Sequence, residues 1–230
     1  MFSGPLTSSL LKRAIEKKLI GVHLTNIRDF TSDKHQTADD SPYGGGPGMV
    51  MKPEPIAKAI KKVIGPKSKV IFMCPTGVPL TQEKVKQLAK EEHLVLLCGH
   101  YEGIDERIRE TLIDEEISIG DYVLTGGELP AMVVIDAVSR MLPGVVKEEG
   151  SVASDSFYEG LLDYPSYTRP EEFEGKKVPE VLMSGHHKEI EAWRRKEQLR
   201  RTYLRRPDLL PRAQLSPSDR KFLEEIVKNG

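Results

Sequence analysis

From Leu6 the apolar positions fall at helical intervals (Leu6, Leu10, Leu11, Ala14, Ile15), which predicts a helix to about Leu19. The run Leu19 to Ile27 that follows reads as a strand. Residues 26–47 are polar and glycine-rich, and a loop this long inside a compact domain is usually functional or mobile. A helix starts near Pro53 and stops at Gly65-Pro66, proline just inside its start and glycine past its end. Lys69 to Cys74 is a second strand, broken by Pro75-Thr-Gly77. Thr81 to Glu92 is a helix with Thr81 as its N-cap. Leu94 to Cys98 is a continuous apolar run, the mark of a strand covered on both faces. A helix over Ile104 to Leu112, with Asp105 near its start, a strand over Glu116 to Thr125 and an apolar helix over Pro130 to Leu142 complete the first lobe. Strands alternating with helices predict an α/β fold with a mainly parallel sheet. Residues 144–179 read as an interdomain linker with one short helix near Ser156 to Leu161, and the last lobe, 180–230, reads as helical.

In open parallel sheets, ligands bind at loops on the carboxyl ends of strands. Three glycine-containing turns occupy such positions: Cys74-Pro-Thr-Gly77, Cys98 to Gly103 and Leu124 to Pro130. Glycine there lets backbone amides and carbonyls approach a flat ligand. The fingerprints GxGxxG and GxxxxGK[ST] are both absent, which argues against Rossmann dinucleotide binding and P-loop chemistry.

Charge sharpens this picture. The net charge of −1 conceals segregation: Glu102 to Glu128 holds nine Asp/Glu against two Arg, and His186 to Arg212 holds nine Lys/Arg against four Asp/Glu. The acidic stretch suits a cationic ligand or a metal, the basic one phosphate. On a helical wheel Arg194, Arg201 and Arg205 cluster opposite Ala192, Leu199 and Tyr203, a guanidinium face for RNA and an apolar face for the lobe. Cys74 and Cys98, each ending an apolar run, read as buried reduced thiols. No apolar run approaches the roughly 20 residues that cross a bilayer, and the start lacks a signal-peptide pattern, so a cytoplasmic protein with no membrane partner is expected.

Four strings carry a closer resemblance: Ser41-Pro-Tyr-Gly-Gly-Gly-Pro-Gly-Met49, Gly99-His-Tyr-Glu-Gly-Ile-Asp-Glu-Arg107, Ile117 to Ala131 (ISIGDYVLTGGELPA) and Tyr167-Thr-Arg-Pro170. In this order they resemble the bacterial tRNA (guanine-N1-)-methyltransferases of the SPOUT class. The resemblance implies methyl transfer from S-adenosyl-L-methionine to N1 of guanosine 37 in tRNA by a homodimer. It also implies a deep trefoil knot in residues 1–143, the cofactor domain, and a small helical tRNA-binding domain over 180–230. The resemblance also implies a start about eleven residues earlier, with a hydrophobic strand leading into Met1-Phe2. Carried over by position, the cofactor residues are Pro75, Gly99, Tyr101, Glu102, Gly103, Ile119, Gly120, Asp121, Tyr122, Val123, Leu124, Gly126, Gly127 and Pro130. The implied general base is Asp155 and the implied charge stabiliser Arg140, with Asp163 as a second candidate base. By residue type alone Asp155 also suits a helix start, since Ser156-x-x-Glu159 is a capping-box pattern, and Arg140 a helix C-terminus. Asp39 matches the position that reads the neighbouring guanine, and Arg194, Arg201 and Arg205 would meet the tRNA. Magnesium is implied as well; its ligands stay open, although Glu102 and Asp155 offer oxygens of the right kind. Two other classes fit the residues: an RNA-binding module without activity, and a SPOUT enzyme acting on ribosomal RNA.

Overall fold

A computed structural model describes residues 1–147 and 155–229. Two compact units divide the chain, Met1–Lys147 and Glu148–Gly230. Residues 148–154 of the expected linker lie outside the described residues.

The first unit is built on a parallel sheet of three strands, β3 (Ser68–Pro79), β4 (His93–Cys98) and β5 (Glu115–Ser118), in the order β4-β3-β5. Two short strands, β1 (Asp39–Asp40) in the long loop and β2 (Val50–Met51) just after it, pair antiparallel. Being central, β3 is covered on both faces, which explains its unbroken apolar run. Its alternation assigns the layers. Val70, Phe72 and Cys74 pack with Ile56 and Ile60 of α3 (Pro53–Val63) and Ile108 of α5 (Glu106–Leu112). Ile71 and Met73 face the other way, onto Val85 and Leu88 of α4 (Gln82–Leu88) and Ala131, Val134 and Val138 of α6 (Glu128–Arg140). Helix α3 begins with proline, carries Glu54 in its first turn and Lys61 and Lys62 in its last, the sign order that its dipole favours. Thr81 caps α4 by accepting from Lys84 N at 3.3 Å, and Asp105 caps α5 by accepting from Arg107 N at 3.0 Å.

Several sequence-based expectations need correction. The first helix is two, α1 (Ser3–Leu6) and α2 (Ser9–Glu16), because Ser9 takes a φ of 53°. Residues 20–26 do not form a strand. They line one side of a cleft of about 940 Å³ whose other side includes β4, an edge strand. Their β-branched and apolar content suits a pleated surface, but a strand exists only where a ladder forms. Strand β3 runs through Pro75-Thr-Gly77 to Pro79, with a register shift between Met73 and Val78. Strand β5 stops at Ser118 instead of Thr125: the Ser118 hydroxyl bonds Gly120 N and Gly120 O, and Gly120, at φ 152°, turns the chain.

In the second unit, β6 (Glu172–Phe173) and β7 (Lys176–Lys177) form a hairpin where a linker was expected. Glu174 and Gly175, at φ 51° and 76°, supply the two positive dihedrals a tight hairpin requires. Two helices follow, α7 (His187–Arg205) and α8 (Pro217–Asn229), joined by the Arg195 to Asp219 ion pair at 2.9 Å. Burial alone would raise the Asp219 carboxyl, but Arg195 and the Ser216 bonds hold it below the usual carboxylate range. No helix forms over Ser156 to Leu161; Phe157 (φ 71°) and Gly160 (φ 83°) turn the chain, and Phe157 N donates to Leu161 O at 2.7 Å.

Gly77 packs directly on β5, where an added Cβ would collide with the backbone of Glu116 and Ile117. Gly77→Ala is therefore expected to lower stability by about 1–3 kcal/mol, read as a lower urea midpoint. An unchanged midpoint would show that the two strands can part without cost.

Candidate active site

Strand β3 runs through the first of the three special turns, β4 ends in the second and the third follows β5, and glycine contacts bring these segments together. Gly127 N donates to Gly99 O at 2.9 Å, and His100 forms a bridge with Gly126. A Cβ on Gly127 would sit 2.6 Å from the Cys98 Cα, so only glycine allows this approach. The His100 ring, 2.5 Å from the Glu128 carboxylate, clasps the second turn to the start of α6. Beneath this contact lies Cys98, whose thiol is pushed up to about 12 by burial and then by the Glu128 charge.

The turns enclose a cavity of about 370 Å³. Its apolar wall includes Ile104, Ile119, Leu124 and Pro130; its polar groups include Thr76, Glu102 and the backbone of both glycine turns. Every expected cofactor residue lines it except Asp121, which is exposed on its turn. A concave, largely apolar pocket with a few convergent polar groups is the usual form of a small-molecule site.

The long loop is sewn onto this pocket. Glu102 N donates to Met49 O at 3.0 Å and Met51 N to Gly103 O at 3.0 Å. Asp39, on β1, lies 3.6 Å from Arg28, whose guanidinium also donates to the Tyr101 hydroxyl at 3.3 Å and to Gln36 O at 2.9 Å. Arg28 thus ties the expected guanine reader to the turn that bears Tyr101. Sequence reasoning missed it, because nothing in the spacing of residues 28, 39 and 101 marks them as neighbours. It also missed Arg109, which lines the pocket, and Glu116 beside it.

Arg140 ends α6 in the first unit, half-buried. Asp155 belongs to the second unit, where its carbonyl accepts from Tyr158 N at 3.2 Å. Asp163, the second candidate base, accepts from the Ser156 hydroxyl at 2.8 Å and so closes the turn that follows Asp155.

The helical wheel of α7 needs revision. Its buried residues are Leu199 and Thr202, while Ala192 is exposed. Thr202 can be buried because its hydroxyl donates to Gln198 O at 2.7 Å and accepts from Leu162 N at 2.9 Å. Arg201 is half-buried, donating to Asp163 O at 3.4 Å, whereas Arg194 and Arg205 are exposed. Arg194 stacks over the Tyr164 ring, 4.8 Å from its centroid. Among the described residues there is no group of three or more His, Cys, Asp or Glu placed to hold a metal ion. No helix among them is long and apolar enough to cross a membrane.

Residues 1–212 match the family model described as tRNA (Guanine-1)-methyltransferase TrmD. Proteins named tRNA (guanine-N(1)-)-methyltransferase are similar over almost all of the chain. The one from Brevibacillus brevis is 60% identical over 227 residues, 98% of this chain and 93% of its own length. That from Pelotomaculum thermopropionicum is 58% identical over 231 residues, 99% and 92%. The Bacillus cereus protein is 56% identical over 231 residues, 99% and 95%. The chain belongs to the TrmD family. It is therefore an enzyme, and the family match extends through both units.

The Cys98 thiol offers a direct check on the packing of this TrmD-family pocket. With its proton held to about pH 12, Cys98 should resist iodoacetamide at pH 8 in the folded protein and react once urea unfolds it. Alkylation of folded protein at the rate of an open thiol, located by peptide mass, would contradict the packing of the second turn against α6.

Proposed function

We propose that the chain transfers a methyl group from S-adenosyl-L-methionine to N1 of guanosine 37 in tRNA, next to the anticodon. The observation that carries this reading is the pocket of about 370 Å³ at the converging ends of β3, β4 and β5, in a chain of the TrmD family. Its shape suits a bent nucleoside: apolar side chains from Ile119, Leu124 and Pro130 for the adenine faces, turn amides and carbonyls for its edge, and Glu102 for hydroxyl or ammonium groups. The bound cofactor supplies an electrophilic methyl on a sulfonium. In this reading the glycine turns are strands of a trefoil knot, which holds the backbone groups in place before the ligand arrives.

Guanine N1 carries a proton and is a poor nucleophile, so the chain's own residues must supply the remaining chemistry. Asp155 takes the N1 proton as the N1–C bond forms and the S–C bond breaks. Arg140 offsets the negative charge that moves onto O6. Asp39, held by Arg28 beside the second turn, accepts two hydrogen bonds from the N1 and N2 donors of the neighbouring guanine. The enzyme works as a homodimer in which the partner's Asp155 meets the pocket of the first subunit, so each active site needs both chains. Exposed Arg194 and Arg205 of α7 bind the tRNA backbone. The TrmD family acts in tRNA modification, a reaction of the cytoplasm.

The test is labelled methyl transfer to a tRNA transcript with guanosine at position 37, beside the same transcript with adenosine there. Only the guanosine transcript should gain label, and equal labelling would refute the N1-guanine chemistry. Asp155→Asn should lower kcat by about 100-fold or more while the cofactor Kd measured by calorimetry stays unchanged. A loss of cofactor binding instead would remove Asp155 from the role of base. Reversing charge in Arg194→Glu with Arg205→Glu should weaken tRNA binding by about tenfold or more and reduce its salt dependence, with cofactor affinity intact. Equal losses for both ligands in filter binding and calorimetry would contradict the division of labour between the units.

A further inference from the structure

Strand β3 leaves its ladder with β5 in the middle of the site. The register shifts between Met73 and Val78, both of which pair with Ile117, so residues 74–77 have no ladder partner on β5, although Gly77 still packs against its backbone. Cys74, Pro75 and Thr76 form one wall of the pocket. Backbone that leaves a ladder beside a cavity has lost its regular partners, and its position must be set by other contacts.

Side chains set it here. Arg109 Nη2 donates to Thr76 Oγ1 at 2.8 Å, and Thr76 Oγ1 donates to Glu116 Oε2 at 3.0 Å. The Cys74 thiol donates to the same carboxylate oxygen at 3.2 Å. Arg109 closes the ring, with Nη2 donating to Glu116 Oε2 at 3.2 Å and Nε 3.0 Å from Oε1. The guanidinium also lies over the Phe72 ring, 5.2 Å from its centroid. Phe72 in turn fixes the second turn, since a Cβ on Gly99 would fall 2.9 Å from that ring. One cation therefore touches the bulge, β5 and α5, and reaches the second turn through a single aromatic ring. Burial disfavours its charge, but the bonds to Cys74 and Glu106 and the Glu116 charge outweigh that and hold Arg109 protonated.

We propose that the Arg109–Glu116 pair is a positioning element of the cofactor site: through Thr76 and Cys74 it sets the 74–76 wall and thereby the affinity for S-adenosylmethionine. This rests on the reading of the pocket given above. Ion pairs this sheltered add little net stability, because desolvation offsets their attraction. Their geometry, in contrast, is specific: one planar guanidinium reaches Glu106 through Nη1 and both Glu116 and Thr76 through Nη2. Lysine at position 109 could supply the charge but not the fork.

The experiment compares Glu116→Gln, Arg109→Met, Arg109→Lys, Thr76→Val and Thr76→Ser by calorimetry with S-adenosylmethionine, thermal melting, and steady-state kinetics with each substrate varied. Glu116→Gln, Arg109→Met, Arg109→Lys and Thr76→Val should each raise the cofactor Kd and KM by about tenfold. The KM for tRNA and kcat at saturating cofactor should stay within about twofold of wild type. Thr76→Ser, which keeps the hydroxyl, should restore wild-type affinity. A lowered melting temperature with unchanged cofactor Kd in the folded protein would overturn the proposal, leaving the pair a purely structural one. Loss of affinity confined to the Arg109 variants would also overturn it, since the guanidinium would then be contacting the ligand itself. Failure of the wild-type protein to bind S-adenosylmethionine would instead sink the reading of the pocket on which the proposal stands.

Discussion

Backbone pressed against backbone is the constraint on which the first unit depends. Gly127 lies on Cys98 and Gly99, and Gly77 lies on Glu116 and Ile117, at separations that leave no room for a Cβ. These two contacts pull the carboxyl ends of all three strands into one place. A pocket made this way presents amides and carbonyls as well as side chains, and its polar groups are fixed by the sheet itself. The cost falls on the sequence, which must keep glycine where a side chain would otherwise add packing.

Around that centre the charges mostly serve the scaffold. The acidic run from Glu102 to Glu128 suggested a cationic ligand or a metal, yet most of it is spent on pairs. Asp105 meets Arg107, Glu106 and Glu116 meet Arg109, Glu115 meets Lys69 and Lys84, and Glu128 meets His100. Glu102 remains facing the cavity, close enough to Gly48 that a Cβ there would strike its carboxyl group. The glycine-rich loop is thus packed on the one carboxylate best placed for a ligand. Arg28 adds a second tie, so the segment bearing Asp39 is anchored to the turn bearing Tyr101.

Local signals in the sequence located what is locally determined. Proline marks the start of α3, and Thr81 before α4 and Asp105 before α5 are caps whose partners lie within three residues. The apolar run of β4 suggested cover on both faces, yet only Leu97 of that strand is buried, because β4 lies at an edge of the sheet beside a cleft. Features settled by distant partners were not legible. Residues 20–26 have the composition of a strand but no ladder, and Ser118 ends β5 through a bond to Gly120 that composition does not reveal. On α7 the wheel placed Ala192 inward and Arg201 outward; the burial of Thr202 and the pull of Asp163 on Arg201 rotate that face. For the site, the glycine strings carried the pocket, since each glycine answers a steric demand. The Arg109–Glu116–Thr76 ring was invisible because its members come from three elements.

The most direct measurement is a crystal structure of the protein with S-adenosylmethionine. Density for the cofactor should lie between residues 74–76, 99–103 and 119–127, with its adenine against Ile119, Leu124 and Pro130. Density elsewhere, such as in the larger cleft beside β4, or an empty pocket at saturating cofactor, would contradict the claim that these three turns form the methyl-donor site.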